Sequence, residues 1–324
     1  MRDLLNTFYA IHISEEILIE DRVAYQCDNH IYFITLATNN KAIHMEQSLL
    51  AYYLVEKGYD QTAHPVPNNY GEWITHYRDE NYLVLKVTCL KNGVEADHGK
   101  ELAQFHRINS AYTFEPQHVS SYGQWKQLWI EKLTYYEKKI IEEAKEHKNN
   151  YYRLLMDIFP YIIGISENAI QYVNECHQES RYDQSDQGTI TFERYRNQLQ
   201  HPIIWHTDLV YDHIARDLAE FIRCQLLYNG EQAFHDVSVF LKSYQSIHPL
   251  SIFSWRLLYA RLIYPAHFFD LIDKAFIEQN FEKHYEQLQR MIERQINYEH
   301  CLSRFYQRVG LDHKQLHIPV VQWL

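Results

Sequence analysis

Two short stretches hold the residues best suited to chemistry. The first is Thr191-Phe192-Glu193-Arg194-Tyr195; the second runs from His206-Thr207-Asp208 to Asp212-His213. An H-x-D triplet, an Asn five positions later and a further Asp form the set that transfers phosphoryl groups. One carboxylate accepts the proton of the attacking hydroxyl, and the amide and second carboxylate hold magnesium. Two registers fit this chain. In one, Asp208 is the base, but His213 stands where the Asn belongs. In the other, residues 191–195 form the catalytic loop and Thr207-Asp208-Leu209 is the remnant of the metal-binding triplet. Arg216-Asp217-Leu218-Ala219 then opens the next helix, and Arg194 takes the base position, where a guanidinium neither accepts a proton nor tolerates magnesium. Arg194, Asp208, Asp212 and His213 are therefore read as degenerate positions, and no catalytic residue is assigned. His201, His206, Asp208, Asp212 and His213 match no zinc spacing, so no metal site is expected. No G-x-S-x-G elbow occurs.

The elements that would position these residues fall into two regions. Residues 1–90 read as β-rich. Arg22 to Cys27 and His30 to Ala37 are strand-like runs around an Asp28-Asn29 turn, and a second hairpin is expected around Arg78-Asp79-Glu80. Between them a helix from about Ala42 to Lys57 carries Met45, Leu49 and Tyr52 on one stripe, and Gln61 to Tyr70 is a connection. From residue 91 to 324 the pattern is helical, with a short β insert near 188–213. Helices are expected over 98–112, 122–147, 151–180 with a break near Pro160, 214–229, 232–247, 250–262, 266–279 and 281–309. Trp125, Leu128, Trp129, Leu133, Tyr136 and Ile140 form a core stripe at spacings of three and four.

This order predicts an α+β fold of the bilobal protein-kinase-like kind, choline kinase or aminoglycoside phosphotransferase type. Its small β-rich N-lobe precedes a large α-helical C-lobe. Such folds hold a nucleotide with a glycine-rich loop between the first strands and a strand Lys paired to a helix Glu. Here the first hairpin has an acidic, glycine-free turn, and Ile31-Tyr32-Phe33-Ile34-Thr35-Leu36 offers no Lys. Lys41 reads as a solvated loop residue, and Glu46, lacking a Lys, as a surface or capping carboxylate. Lys86 could reach a nucleotide only from another strand.

Composition narrows the partners. Thirty-one basic and 42 acidic residues give a net charge of −11, which disfavours nucleic acid and anionic lipid. The longest apolar run, near Met156 to Ile165, is too short to span a membrane. The N-terminus lacks the pattern of a signal peptide, so synthesis in a cytoplasm is expected. The five cysteines form no C-x-x-C pair and read as buried reduced thiols. Only nine glycines occur in 324 residues, few for a phosphate-cradling enzyme. The 27 tyrosines read as half-buried substitutes for Phe, or as sites for oxidative cross-linking in a durable assembly.

Tyr122-Gly123-Gln124-Trp125 with Leu128-Trp129, Gly188-Thr189 leading into Phe192-Glu193-Arg194-Tyr195, Val210-Tyr211-Asp212-His213 and Arg216-Asp217-Leu218-Ala219-Glu220-Phe221-Ile222-Arg223 resemble the endospore coat-associated proteins of the CotS type, most closely the YutH group. The resemblance runs across nearly the whole chain. It implies a kinase-like fold, synthesis in the mother cell of a sporulating Firmicute, and deposition in the spore coat among other spore coat proteins. The expectation is a pseudokinase acting as a structural or assembly component of the coat, without cofactor and with no small-molecule ligand identifiable. The alternatives are a divergent phosphotransferase, with Asp208 as base or metal ligand and Asp212 assisting, and a small-molecule sensor using the interlobe cleft.

Overall fold

A computed structural model describes residues 1–37, 40–91, 97–178 and 183–321. The chain divides into two compact units. The first comprises Met1–Ala96, Gln104–Ser120 and Thr189–Asp212; the second comprises Asp97–Ala103, Ser121–Gly188 and His213–Leu324. The sequence places a single boundary near residue 90, whereas the first unit also takes in the segments 104–120 and 189–212.

In the first unit, α1 (Arg2–Phe8) is followed by β1 (Glu15–Ile19), β2 (Arg22–Cys27), β3 (His30–Leu36), α2 (Lys41–Glu56), β4 (Thr62–Pro65), β5 (Ile74–Tyr77) and β6 (Glu80–Val87). The sheet order is β1-β2-β3-β6-β4-β8, with β5 also on β6 and β8 being Ile204–Trp205. All pairs are antiparallel except β4 with β8. Strand β1 and the turn Glu20-Asp21 are absent from the sequence reading, so the first hairpin precedes the expected Asp28-Asn29 turn. Both turn residues take positive φ, 50° and 60°. That is the type I′ geometry that two-residue hairpins favour, reached here without glycine. Strand β4 likewise lies inside the stretch expected to be a plain connection.

Side chains alternate across this sheet. Ala24, Phe33, Ala63, Leu85 and Val87 form one face, packed with Ile203 and Trp205. Tyr25, Tyr32 and Val84 form the other, packed with Leu4, Leu5 and Tyr9 from the N-terminal segment. A separate two-stranded ribbon pairs β7 (Thr189–Phe192) with β9 (Leu209–Asp212), Phe192 opposite Leu209 and Thr189 opposite Asp212.

The second unit is helical. Helix α3 (His98–Asn109) begins in it, followed by α4 (Trp125–Glu146), α5 (Asn150–Gln178), α6 (Ala215–Asn229), α7 (Phe234–Gln245), α8 (Ile252–Ile263), α9 (Ala266–Glu278), α10 (Phe281–Ser303) and α11 (Phe305–Arg308). The expected core stripe of α4 is buried at Trp125, Trp129, Leu133, Tyr136 and Ile140. Trp129 stacks on Tyr264 with ring centroids 4.4 Å apart. Helix α5 runs through Pro160 without the expected break. Pro160 is exposed, so water can satisfy the carbonyl one turn earlier that loses its N–H partner. Residues 179 and 180, assigned to this helix from sequence, lie outside the described residues. All five cysteines are free thiols, but Cys89 and Cys224 are exposed and Cys27 is half-buried, so burial holds only for Cys176 and Cys301.

Candidate functional site

The β7–β9 ribbon aims a loop, residues 193–208, back at its own start. Backbone N–H of Glu193 donates to the Asp208 carbonyl at 2.7 Å, closing the loop where the ribbon begins. Asp208 is half-buried and its carboxyl is pushed above the usual range, first by burial and then by the charge of Glu193. Gln198, Arg22 and His201 act in the opposite direction, Gln198 through a hydrogen bond. The structure thus brings Glu193, Gln198 and Asp208 together. Glu193 and Gln198 stand five positions apart, the spacing of the catalytic Asp and metal-binding Asn of phosphotransferases, each one methylene longer. Sequence reasoning passed over this pair by giving the base position to Arg194. The signal was in the sequence: a carboxylate, then an amide five residues on, then a second carboxylate.

The Gln198 side chain is engaged at both ends. Its amide nitrogen donates to the Arg194 carbonyl at 2.7 Å and to Asp208, and its oxygen accepts the Arg196 N–H at 2.6 Å. An amide has two donors and one carbonyl, so this one works as a clamp across its own loop. The Arg194 guanidinium donates to the Glu193 carbonyl at 3.1 Å.

Trp205 seals the neighbouring sheet face. It is 9% exposed and packs with Ala24, Phe33, Leu85, Val87 and Ile203. Its ring meets Phe33 edge-on at 4.9 Å, its other flank carries the Arg22 guanidinium at 4.1 Å, and its N–H donates to Glu20 at 3.4 Å. The β3 side chains packed in this cluster are Ile31 and Phe33, both apolar. Lys86, opposite Tyr32 in the ladder, alternates onto the other face with Tyr32 and Val84. Register alone therefore carries the Lys86 ammonium away from Trp205 and Asp208. Arg22 on this face is stacked on the indole.

Glu46 of α2 caps a loop. It accepts from the backbone N–H groups of Gln117, His118 and Val119 at 2.8, 2.7 and 3.0 Å and from the His118 ring at 3.0 Å. Burial works against its ionisation, but these four donors outweigh it and hold the carboxyl below the usual range. Val119 in turn accepts from Tyr211, so α2 is tied to β9 through this segment. Near it the rings of His44 and His206 lie 6.1 Å apart, both buried. Neither ring nitrogen of His206 has a hydrogen-bond partner among the described residues. Burial, with His44 adding to it, lowers its pKa to about 4.

Of the remaining sequence candidates, Asp212 is buried at the end of β9. His213 belongs to a network in the second unit. Its Nε2 faces Asp186 at 3.3 Å and Ser254 at 3.4 Å, while Nδ1 accepts the Ala215 N–H at 3.0 Å at the start of α6. Asp186 also accepts from Ser254 at 2.6 Å, from Ser251 at 2.7 Å and from the Asp183 N–H at 2.8 Å. Ser, His and Asp coincide here, but acid and hydroxyl share one ring nitrogen and the other caps a helix. A nucleophilic triad needs them on opposite nitrogens. This is a structural knot: burial would raise the Asp186 pKa, and its donors hold it below the usual range. Among the described residues no group of three or more His, Cys, Asp or Glu could hold a metal ion, and no helix is long and apolar enough to cross a membrane.

With this geometry in view, known proteins fix the family. A model described as "Spore coat putative kinase YutH" matches residues 2–305. The chain belongs to the spore coat YutH family. It is 29% identical over 329 residues to the endospore coat-associated protein YutH of Bacillus subtilis (strain 168), covering 98% of this chain and 96% of that protein. Solved structures show the kinase-like fold. An aminoglycoside phosphotransferase from Alicyclobacillus acidocaldarius superposes with a TM-score of 0.58 at 13% identity over 92% of this chain and 93% of that one. The amicoumacin kinase hAmiN, in complex with AMP-PNP, Ca2+ and Ami, gives 0.55 at 13% identity over 97% and 95%. The sequence expectation of an α+β kinase-like fold and of this family therefore holds.

Proposed function

We propose that this chain is a structural or assembly component of the bacterial spore coat, built on a kinase-like fold that no longer transfers phosphate. The observation that carries this reading is the sheet face closed by Trp205. Where a strand Lys would reach a nucleotide stands Phe33, edge-on to the indole, and the first hairpin turns through Glu20-Asp21. A triphosphate brought there meets two carboxylates at the turn and an apolar wall behind it. The Arg22 guanidinium beside that wall is taken up by the Trp205 ring, 4.1 Å away, which competes with a hold on phosphate. Gln198 ties its own loop together, a use that competes with holding magnesium. On this reading other spore coat proteins are its partners, the spore coat is its place, and the mother-cell cytoplasm is where it is made.

A second reading is favoured by one observation, the Glu193–Gln198–Asp208 group at phosphotransferase spacing: a divergent phosphotransferase with Glu193 as base and Asp208 as metal ligand. Transfer of labelled γ-phosphate from magnesium-ATP to aminoglycosides, amino alcohols or the chain itself separates the two. The scaffold reading predicts counts equal to buffer, identical for wild type, Glu193→Gln and Asp208→Ala. Transfer by the wild type that either substitution abolishes would establish the second reading instead.

A further inference from the structure

Of the α2 stripe Met45, Leu49 and Tyr52, Met45 is 55% exposed and Leu49 38%. The buried face of α2 is instead His44, Gln47, Ser48, Leu50, Ala51 and Leu54. The exposed stripe forms one wall of a groove of about 600 Å3 in the first unit. The other wall comes from the turn before β5 and from the β5–β6 hairpin: Trp73, Ile74 and Leu83, with His76 and Asn81 at the rim. The volume lies inside the range of small-molecule sites, about 300–1,000 Å3.

The walls are preformed. Trp73 donates its N–H to the Tyr52 hydroxyl, and the two rings lie 5.8 Å apart. Ile74 and Leu83 are register partners across the hairpin, as are His76 and Asn81, and the last two are joined at 3.2 Å. An apolar body entering the groove therefore meets fixed surfaces and loses little to their ordering.

Charge selects the head group. Lys41 lines the groove at the first position of α2, whose first turn holds no acidic residue. A cation at a helix N-terminus adds to the positive end of the dipole, so this corner calls for an anion. Among the described residues no carboxylate pairs with Lys41. Glu72, on the other wall, is the competing charge; its backbone is tied to Asn68 by bonds of 3.0 and 2.8 Å. None of these residues belongs to the Glu193–Asp208 group.

We propose that this groove binds a small amphipathic carboxylate, its apolar body between Met45, Leu49, Trp73 and Leu83 and its acid group at Lys41. The test is calorimetric titration of the full chain with 4-phenylbutyrate and with 4-phenylbutylamine, which share one body and differ in charge. The expected result is one site, at least tenfold tighter for the acid. Lys41→Glu should remove that preference by tenfold or more, and Leu49→Arg should abolish binding of both compounds. Met45→Arg, at a more exposed position of the same wall, serves if the Leu49 variant does not fold. Absence of acid binding, an amine that binds as tightly, or acid binding untouched by either arginine variant overturns the proposal.

Discussion

Protonation of His206 gives the sharpest quantitative test of how the first unit is built. The ring is 2% exposed, and neither nitrogen has a partner among the described residues. Its pKa falls from 6.5 to about 4, through burial and then through His44 of α2. The folded state thus favours the neutral ring, while the unfolded chain takes up a proton below pH 6.5. Stability from this group is complete above pH 6.5 and drains away as pH falls towards 4. The full difference is worth about 3 kcal/mol, of which about 2 kcal/mol is already lost at pH 5. His206→Leu keeps an apolar side chain of similar reach, removes two unsatisfied buried nitrogens and deletes this proton. Urea unfolding of wild type and variant at pH 7.5 and 5.0 isolates the effect as a double difference, with all other titrating groups cancelling. The variant should match or exceed wild type at pH 7.5 and gain a further 1.5–2 kcal/mol, roughly, at pH 5.0, with the urea slope unchanged. A double difference below about 0.5 kcal/mol would refute the reasoning, because a buried unpaired imidazole must resist protonation.

Two further substitutions test the second unit. Asp186→Asn keeps the shape of the Asp186 side chain but turns two donors, Ser251 and Ser254, towards an amide; we expect a loss of about 3–5 kcal/mol in urea midpoint stability. Because donors hold the Asp186 pKa down, wild type should weaken as pH falls through the acid range while the variant stays flatter there. Gly99→Ala places a methyl 2.3 Å from the Phe240 carbonyl oxygen and 2.9 Å from the Tyr244 nitrogen, both backbone atoms of α7 that cannot swing aside. Helix propensity would favour Ala by about 1 kcal/mol, so a melting temperature lowered by several degrees shows that close approach wins.

Periodicity made the helices of the second unit legible. In α4, six apolar residues at spacings of three and four read as a core stripe; five are buried and Leu128 is half-buried. Strand β1 was hidden because it is an edge strand with Leu18 68% exposed, so alternation between its faces is blurred. Its turn was hidden because Glu20 and Asp21 adopt positive φ where glycine is the usual sign. Pro160 misled through a rule that holds for buried helix faces and relaxes on a wet one. On α2 the apolar stripe did not announce the buried face, since Met45 and Leu49 are exposed while polar Gln47 and Ser48 are buried. Gln47 repays burial by donating to the Thr207 carbonyl at 2.9 Å, a partner 160 positions away that no local pattern announces. The carboxylate site was half legible. Asp208 stood out by its triplet, whereas Glu193 and Gln198 were masked by being one carbon longer than the residues sought. The parity that turns Lys86 away from Trp205 follows from ladder register, which single strands do not encode.

On the proposed scaffold reading, the Trp205-sealed face, the acidic turn and the clamped Gln198 leave no hold for a nucleotide. Thermal unfolding in 5 mM magnesium AMP-PNP against magnesium alone measures this most directly, since any ligand selective for the native chain must raise its midpoint. The account predicts a shift below about 1 °C, even for wild type with Trp205 intact at neutral pH. A saturable rise of several degrees, corresponding to about 2.7 kcal/mol at a hundredfold excess over Kd, would contradict it.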